Sequence, residues 1–299
     1  MPRDVQELVS LLDLKAESEA SASDEQRFMG LSGSTTFQRT YGGQVLAQAL
    51  MAVAHTVTPD RAVHSLHAYF LRAASTSDSI LYSVDRLRDG GSFSARRVTA
   101  LQDDRVCFLM SASFHKDEGG LDHEEPMPLD VDPPEECPTL AEEMNARFGA
   151  STTWHEWDCL DVRFAGDSST ASANENRGKP TAWMRVWVKT ASLLPDDPTH
   201  HMSQAVLAYL SDLTLLSVAA LPHRVEFLST SLQIASLSHS MWFHRPCQAD
   251  RWLLYDMVSP NAHGSLGFST GRLFQDGQLI ASCAQEGLVR VVEERPILT

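Results

Sequence analysis

Positive charge is scarce in this chain. Its 299 residues carry 24 Lys and Arg against 39 Asp and Glu, a formal net charge of −15 at pH 7. Bulk attraction to nucleic acid or to an anionic membrane is therefore not expected, and an anionic ligand would need a local basic patch. Cysteine is also sparse and unorganised. Cys107, Cys137, Cys159, Cys247 and Cys283 are odd in number and form no CxxC pair, which argues for a reducing compartment and against a disulfide framework or a zinc site. The histidines do not repair that lack. His64 and His67, three apart on a strand, face opposite ways, and His200 and His201 have no companion at ligand spacing. No metal and no cofactor are expected. The chain has no GxSxG nucleophile elbow and no GxGxxG or Walker loop. Its N-terminus, "MPRDVQELVSLLDLKAESEA", lacks the basic-then-apolar order of a signal peptide. The terminal "RPILT" is not an S-K-L-type address, so a cytoplasmic protein is expected.

What is present is an ordinary globular balance, with 43% hydrophobic and 21% charged residues, and one conspicuous apolar stretch. "SQAVLAYLSDLTLLSVAAL", residues 203–221, reads as one helix, apolar on nearly every face, with Asp212 in its middle. Ala205–Leu221 is long enough to raise a membrane span, but Ser211, Asp212, Thr214 and Ser217 favour a helix enclosed in a protein core. No Lys or Arg occurs between Lys189 and Arg224, so an ionised Asp212 is costly there unless specific donors meet it.

The chain also carries an internal repeat. At an offset of 173, "AVHSLHAYFLR" (62–72) lies over "ASLSHSMWFHR" (235–245), and "LQDDRVCFLMSASF" (101–114) over "FQDGQLIASCAQEG" (274–287). Ten positions of that window are identical (Ala62, Ser65, Phe70, Arg72, Leu81, Tyr82, Gly91, Ser92, Gln102 and Asp103 with their partners), where about three are expected from composition. Each half shows a short segment ending "RFMG" or "RFAG", a long apolar helix, then four strands separated by turn signals. That is an α+β layout in which an antiparallel sheet wraps a buried helix. The expected organisation is one half over 1–115, an acidic Pro-rich linker over 116–155 that reads as an exposed, solvated surface, and a second half over 156–299.

Two polar residues lie in strands that should wrap the second helix. Gln285 alternates with Leu279, Ala281 and Cys283 and so points inward; Ser236 shares a face with Ile234 and Trp242. Either residue alone is more ordinarily a partner for some backbone group. Gly42 and Gly43 open the first long helix, whose free N–H groups could bind developing negative charge.

Taken together, "GGQVLAQAL", "HSLHAYFLR", "LRDGGSFSARRV", "SDLTLL", "SHSMWFHRP", "RWLLYDM" and "AQEGLVR" resemble acyl-CoA thioesterase II, the TesB-like family, over nearly the whole chain from about residue 5 to residue 291. The resemblance implies a tandem (double) hotdog fold. It implies hydrolysis of fatty acyl-CoA to free fatty acid and CoA, without metal or covalent intermediate. It also implies a water activated by Asp212, Gln285 and, at a position that is often Thr, Ser236. Further assembly into a homo-oligomer is expected. To this we add Gly42 or Gly43, with His64, as groups for the thioester carbonyl, and Arg86, Arg88, Arg96 and Arg97 as candidates for the CoA phosphates. Competing readings are an acyl-CoA or acyl-carrier binding protein with little catalysis, and a hotdog hydratase, which would want an Asp and His pair at the start of a central helix.

Overall fold

The structure, a computed structural model, describes residues 1–17, 25–33, 35–149, 152–173, 175–223 and 231–292. In chain order the elements are α1 (Val5–Leu12), β1 (Lys15–Ala16), β2 (Glu25–Gly30), α2 (Gly42–Ala54), β3 (Arg61–Phe70), β4 (Ile80–Asp89), β5 (Phe93–Gln102) and β6 (Arg105–Lys116). Then follow α3 (Leu140–Phe148), β7 (Leu160–Asp167), β8 (Trp183–Thr190), α4 (His201–Ser211), β9 (Leu232–Phe243), β10 (Leu253–His263), β11 (Leu266–Gln275) and β12 (Gln278–Val291). The terminal "RPILT" lies outside the described residues.

Among the described residues, all twelve strands join one antiparallel sheet in the order β1-β2-β4-β5-β6-β3-β9-β12-β11-β10-β8-β7. The 173-residue offset survives in three dimensions: β4, β5 and β6 start at 80, 93 and 105, and β10, β11 and β12 at 253, 266 and 278. The halves meet where β3 pairs with β9, Ser65 opposite Trp242 and Tyr69 opposite Ser238. "RFMG" and "RFAG", however, do not occupy matching places. β2 lies directly beside β4, setting Phe28 opposite Tyr82. In the second half β8 takes that place, with Val186 opposite Tyr255, and "RFAG" sits one strand further out on β7.

Beneath the sheet, α2 and α4 pack on each other. Every residue of α2 from Gly43 to Ala54 is buried, as is α4 from Gln204 to Ser211, and a helix apolar all round requires that enclosure. Their close approach depends on Gly43, where a Cβ would stand 2.3 Å from Tyr209 O. The stretch His201–His223 is long and apolar enough to cross a membrane, yet most of it is buried inside the fold.

The expected single helix over 203–221 is broken at Asp212. Helix α4 ends at Ser211, Asp212 is its C-terminal cap, and a 3-10 helix runs over Leu215–His223. Side-chain hydroxyls supply the reason. Tyr41 donates to Tyr209 O at 2.8 Å and Tyr255 to Ser211 O at 2.7 Å. These carbonyls would otherwise accept the next main-chain N–H groups of a continuing helix. Both hydroxyls come from elsewhere in the chain, so local pattern gives no sign of the break.

Residues 116–155 are more structured than an exposed linker. Within them α3 buries Leu140 and Met144 behind a Thr139–Glu142 capping box. The acidic run is also strapped to the second half. Arg185, Asp256 and Arg272 form a row across β8, β10 and β11, with Asp256 held at 2.7 and 2.6 Å. Asp130 pairs with Arg185 at one end of that row, and Glu125 with Arg272 at the other. Asp122 and Glu124 both reach Arg245.

Candidate active site

Asp212, the C-terminal cap of α4, meets side chains of β9 and β12. Ser236 on β9 donates to Asp212 Oδ1 at 3.1 Å, and Gln285 Nε2 on β12 donates to the same oxygen. Gln285 Nε2 also lies 2.8 Å from Ser236 Oγ, so the three side chains are mutually bonded. A fourth contact comes from the start of α2, where the Gly43 amide donates to the carboxylate. Gly42 leaves room for it, since a Cβ there would lie 2.7 Å from Asp212 Oδ2.

Burial is the dominant influence on this acid. It pushes the Asp212 carboxyl up to about 6, against the opposing bonds from Gln285, Ser236 and the Gly43 amide. The other titratable groups around it, Tyr41, Tyr255 and Cys283, are pushed upward by burial, so they stay neutral near pH 7. A carboxyl held in this way can take and return a proton close to neutral pH.

Asp212 and Ser236 open onto a cavity of about 560 Å³. Gly42, Tyr41, Val45, Phe70, Phe108, Trp157, Leu213, Leu216 and Ile234 give it a largely apolar lining. Two exposed arginines, Arg39 and Arg72, also line it. A predominantly apolar chamber with a few convergent polar groups is the ordinary form of a small-molecule site. Among the described residues no group of three or more metal-ligating side chains occurs.

The residues expected from sequence thus divide. Asp212, Ser236, Gln285, Gly42 and Gly43 come together. His64 does not join them: it bonds Ser113 Oγ at 2.8 Å and packs against Phe93 and His115, none of which lines the cavity. The arginines named for the CoA phosphates are elsewhere too. Arg96 is buried and bonds Thr56 and Asp89, Arg97 pairs with Asp85, Arg86 reaches Gln26, and Arg88 is absent from the cavity lining. Strand charge alone had no means of separating these from Arg39. Arg72 was visible as a repeat identity, but for a structural reason: it donates to Val106 O as Arg245 donates to Leu279 O in the other half.

The repeat also shows why one such site is found. At the positions matching Ser236 and Gln285, the first half has Val63 and Ala112, both buried. The matching chemistry is absent there.

The family model described as acyl-CoA thioesterase matches residues 160–288, and that described as acyl-CoA thioesterase N-terminal domain matches 31–115. Acyl-CoA thioesterase 2 of Haemophilus influenzae is 37% identical over 284 residues, covering 90% of this chain and 94% of that protein. The chain belongs to the acyl-CoA thioesterase family. Human acyl-coenzyme A thioesterase 8 is likewise 37% identical, covering 90% of this chain and 86% of its own length. Among solved structures, an acyl-CoA thioesterase II of Mycobacterium marinum superposes with a TM-score of 0.77 at 37% identity, covering 95% of this chain and 98% of that one. A tesB protein of Mycobacterium avium subsp. paratuberculosis gives 0.73 at 27% identity, covering 96% and 100%. The fold is the double hotdog of these thioesterases.

The raised Asp212 carboxyl has a stability consequence whose sign is definite. A carboxyl whose folded pKa lies above its unfolded value destabilises the fold at pH values where it is ionised, and ceases to do so below the unfolded value. Asp212→Asn is therefore expected to stabilise the protein by about 1–3 kcal/mol at pH 8, with the gain fading as pH falls from about 6 to below 4. Denaturant unfolding at pH 8 and pH 4 reads this directly. A variant destabilised equally at both would contradict the assignment of burial as the main cause.

Proposed function

We propose that this protein hydrolyses fatty acyl-CoA thioesters by direct attack of water activated by Asp212. The observation that carries this reading is the Asp212 carboxylate, raised by burial, bonded by Ser236 and Gln285, and opening onto an apolar cavity. Membership of the thioesterase family supports acyl-CoA as the substrate, and the apolar chamber suits an acyl chain.

Asp212, acting as general base, takes a proton from water as the water oxygen bonds to the thioester carbonyl carbon. The carbonyl electrons move onto oxygen. When they return, the carbon–sulfur bond breaks, CoA leaves as thiolate and recovers the proton held by Asp212. The free fatty acid remains, and Asp212 is again ionised. Gln285 and Ser236 hold the carboxylate and the attacking water in line. The Gly43 amide is committed to Asp212, so Gly42, which lines the cavity, is the better amide for the developing oxyanion. Serine at 236 retains the donor and acceptor of threonine without its χ1 stiffness.

For the CoA phosphates we propose Arg39, with Arg72 beside it, as the exposed cations of the cavity lining in an otherwise acidic protein. The cysteines, all unpaired and buried, support a cytoplasmic location. Tyr69 and Trp242, exposed on the strands that join the halves, support association into a homo-oligomer.

The test is thiol release from a ladder of saturated acyl-CoAs. Turnover by the wild type is expected to fall by about 10²- to 10⁴-fold in Asp212→Asn while acyl-CoA still binds. Binding without turnover at every chain length would overturn the hydrolase reading in favour of a binding role. In the same assay Arg39→Gln is expected to raise KM about tenfold with kcat nearly unchanged, as for one lost charge-assisted contact of about 1.5 kcal/mol. An unaltered KM would remove Arg39 from the CoA site.

A further inference from the structure

Gln285 holds Asp212 and Ser236 with one end of its amide, and the other end is unexplained. Its Nε2 serves both partners, whereas its Oε1 is buried and meets no donor among the described residues. The two ends of an amide are nearly alike in shape, so partners alone decide which one faces the acid. Exchanged, the oxygen would confront the Asp212 carboxylate and one donor would be lost. A buried amide oxygen needs a donor of its own to fix it on the far side.

The residue directly opposite Gln285 on β9 is His239, fully buried. Its Nε2 lies 3.0 Å from Ser211 Oγ, and its Nδ1 is buried and also unmet among the described residues. Opposed residues on neighbouring antiparallel strands have Cβ atoms about 4.5–5.5 Å apart, a span that an imidazole and an amide together cover. Ser211 immediately precedes Asp212. Its one hydroxyl proton can go to Ala208 O or to His239 Nε2, and the second choice places the imidazole proton on Nδ1.

The repeat separates what this pair does for the site from what it does for the sheet. The positions 173 residues earlier are Leu66 and Ala112, likewise opposite one another on β3 and β6, and likewise buried. Hydrocarbon therefore satisfies this place in the sheet. Histidine and glutamine occupy it only in the half that carries the acid.

We propose that His239 is a positioning residue that donates from Nδ1 to Gln285 Oε1 through one water, and so links Asp212, Gln285, His239 and Ser211 in one hydrogen-bonded chain. The inference rests on the hydrolase reading above. Burial pushes the imidazole down to about 4, so it stays neutral where the enzyme works and has a single proton to place. With that chain of bonds complete, the Gln285 amide cannot turn, and Asp212 keeps the donor that favours its charged form. The groups that titrate near Asp212 are, besides His239, Tyr41, Tyr255 and Cys283, all neutral in this range.

The experiment compares the full-length wild type, Asp212→Asn, His239→Leu and His239→Asn. Leucine is the residue of the matching position, and the Asn side-chain N–H lies where the imidazole Nδ1–H lies. Acyl-CoA hydrolysis is followed by thiol release from pH 5 to 9, beside thermal melts. His239→Leu is expected to lose about 10- to 100-fold in kcat with KM within about twofold, and to shift the acid limb of kcat/KM upward by about half to one pH unit. His239→Asn is expected to recover most of kcat and the wild-type limb. Should His239→Leu lower the melting temperature while kcat and the limb stay in place, His239 is structural and the proposal falls. It also falls if Asn fails to rescue and Ser269→Ala reproduces the shift. That result would give the role to Ser269, which flanks Gln285 on β11 with its own buried, unmet hydroxyl. If His239→Leu does not fold, the limb of His239→Asn decides. A wild type that releases no thiol overturns the hydrolase reading and this inference with it. A wild type that turns over, beside a dead Asp212→Asn and an unimpaired His239→Leu, overturns this inference alone.

Discussion

The structure turns on keeping one carboxylate out of water without leaving it unbonded. Asp212 sits where an enclosed apolar helix ends, and desolvation alone would make its charged form very costly. Three donors from three elements offset part of that cost: Ser236 on β9, Gln285 on β12 and the Gly43 amide of α2. The hydroxyls of Tyr41 and Tyr255 take the carbonyls of Tyr209 and Ser211 where α4 ends. The closeness of α2 and α4 follows from the same need, because only glycine at 42 and 43 lets the start of one helix reach the end of the other.

Duplication supplied the frame and divergence supplied the site. The two halves share a strand order and, in three successive strand starts, an offset of 173 residues. Four of the matching positions at which their interiors differ surround the site. Val63, Leu66, Arg96 and Ala112 stand in the first half where Ser236, His239, Ser269 and Gln285 stand in the second. Arg96 is fully buried, donating to Thr56 and Asp89, so the first half turned the equivalent space into a structural cross-link. An apolar or internally satisfied core is the less demanding solution. The polar one persists where it serves the acid, an ordinary exchange of local stability for function.

Much of this was legible in the sequence, and the parts that were not share a cause. The repeat, the two buried helices and the inward position of Gln285 follow from periodicity, which is local. Ser236 faces inward only through a β-bulge, because Trp242, on its face by alternation, is exposed while Met241 and Phe243 are buried. Asp212 was conspicuous because no cation lies near it in the chain. The helix break was invisible because Tyr41 and Tyr255 lie far from Ser211 in sequence. The straps on residues 116–155 were hidden for the same reason: Asp130 and Glu125 find Arg185 and Arg272 only after the sheet has formed. His64 and the β4–β5 arginines were placed by residue type alone, and type does not say which face of a strand opens onto a cavity. Arg39 had no periodic signal at all.

The measurement that tests the central claim most directly is the pH dependence of kcat/KM for the wild type with a saturated acyl-CoA. A base desolvated to about 6 requires activity to fall below that pH with a single ionisation, and to be level above it through pH 8. A profile level from pH 5 to 8, or one falling only near the ordinary carboxylate value of about 4, would mean that Asp212 is not the desolvated base this account makes it.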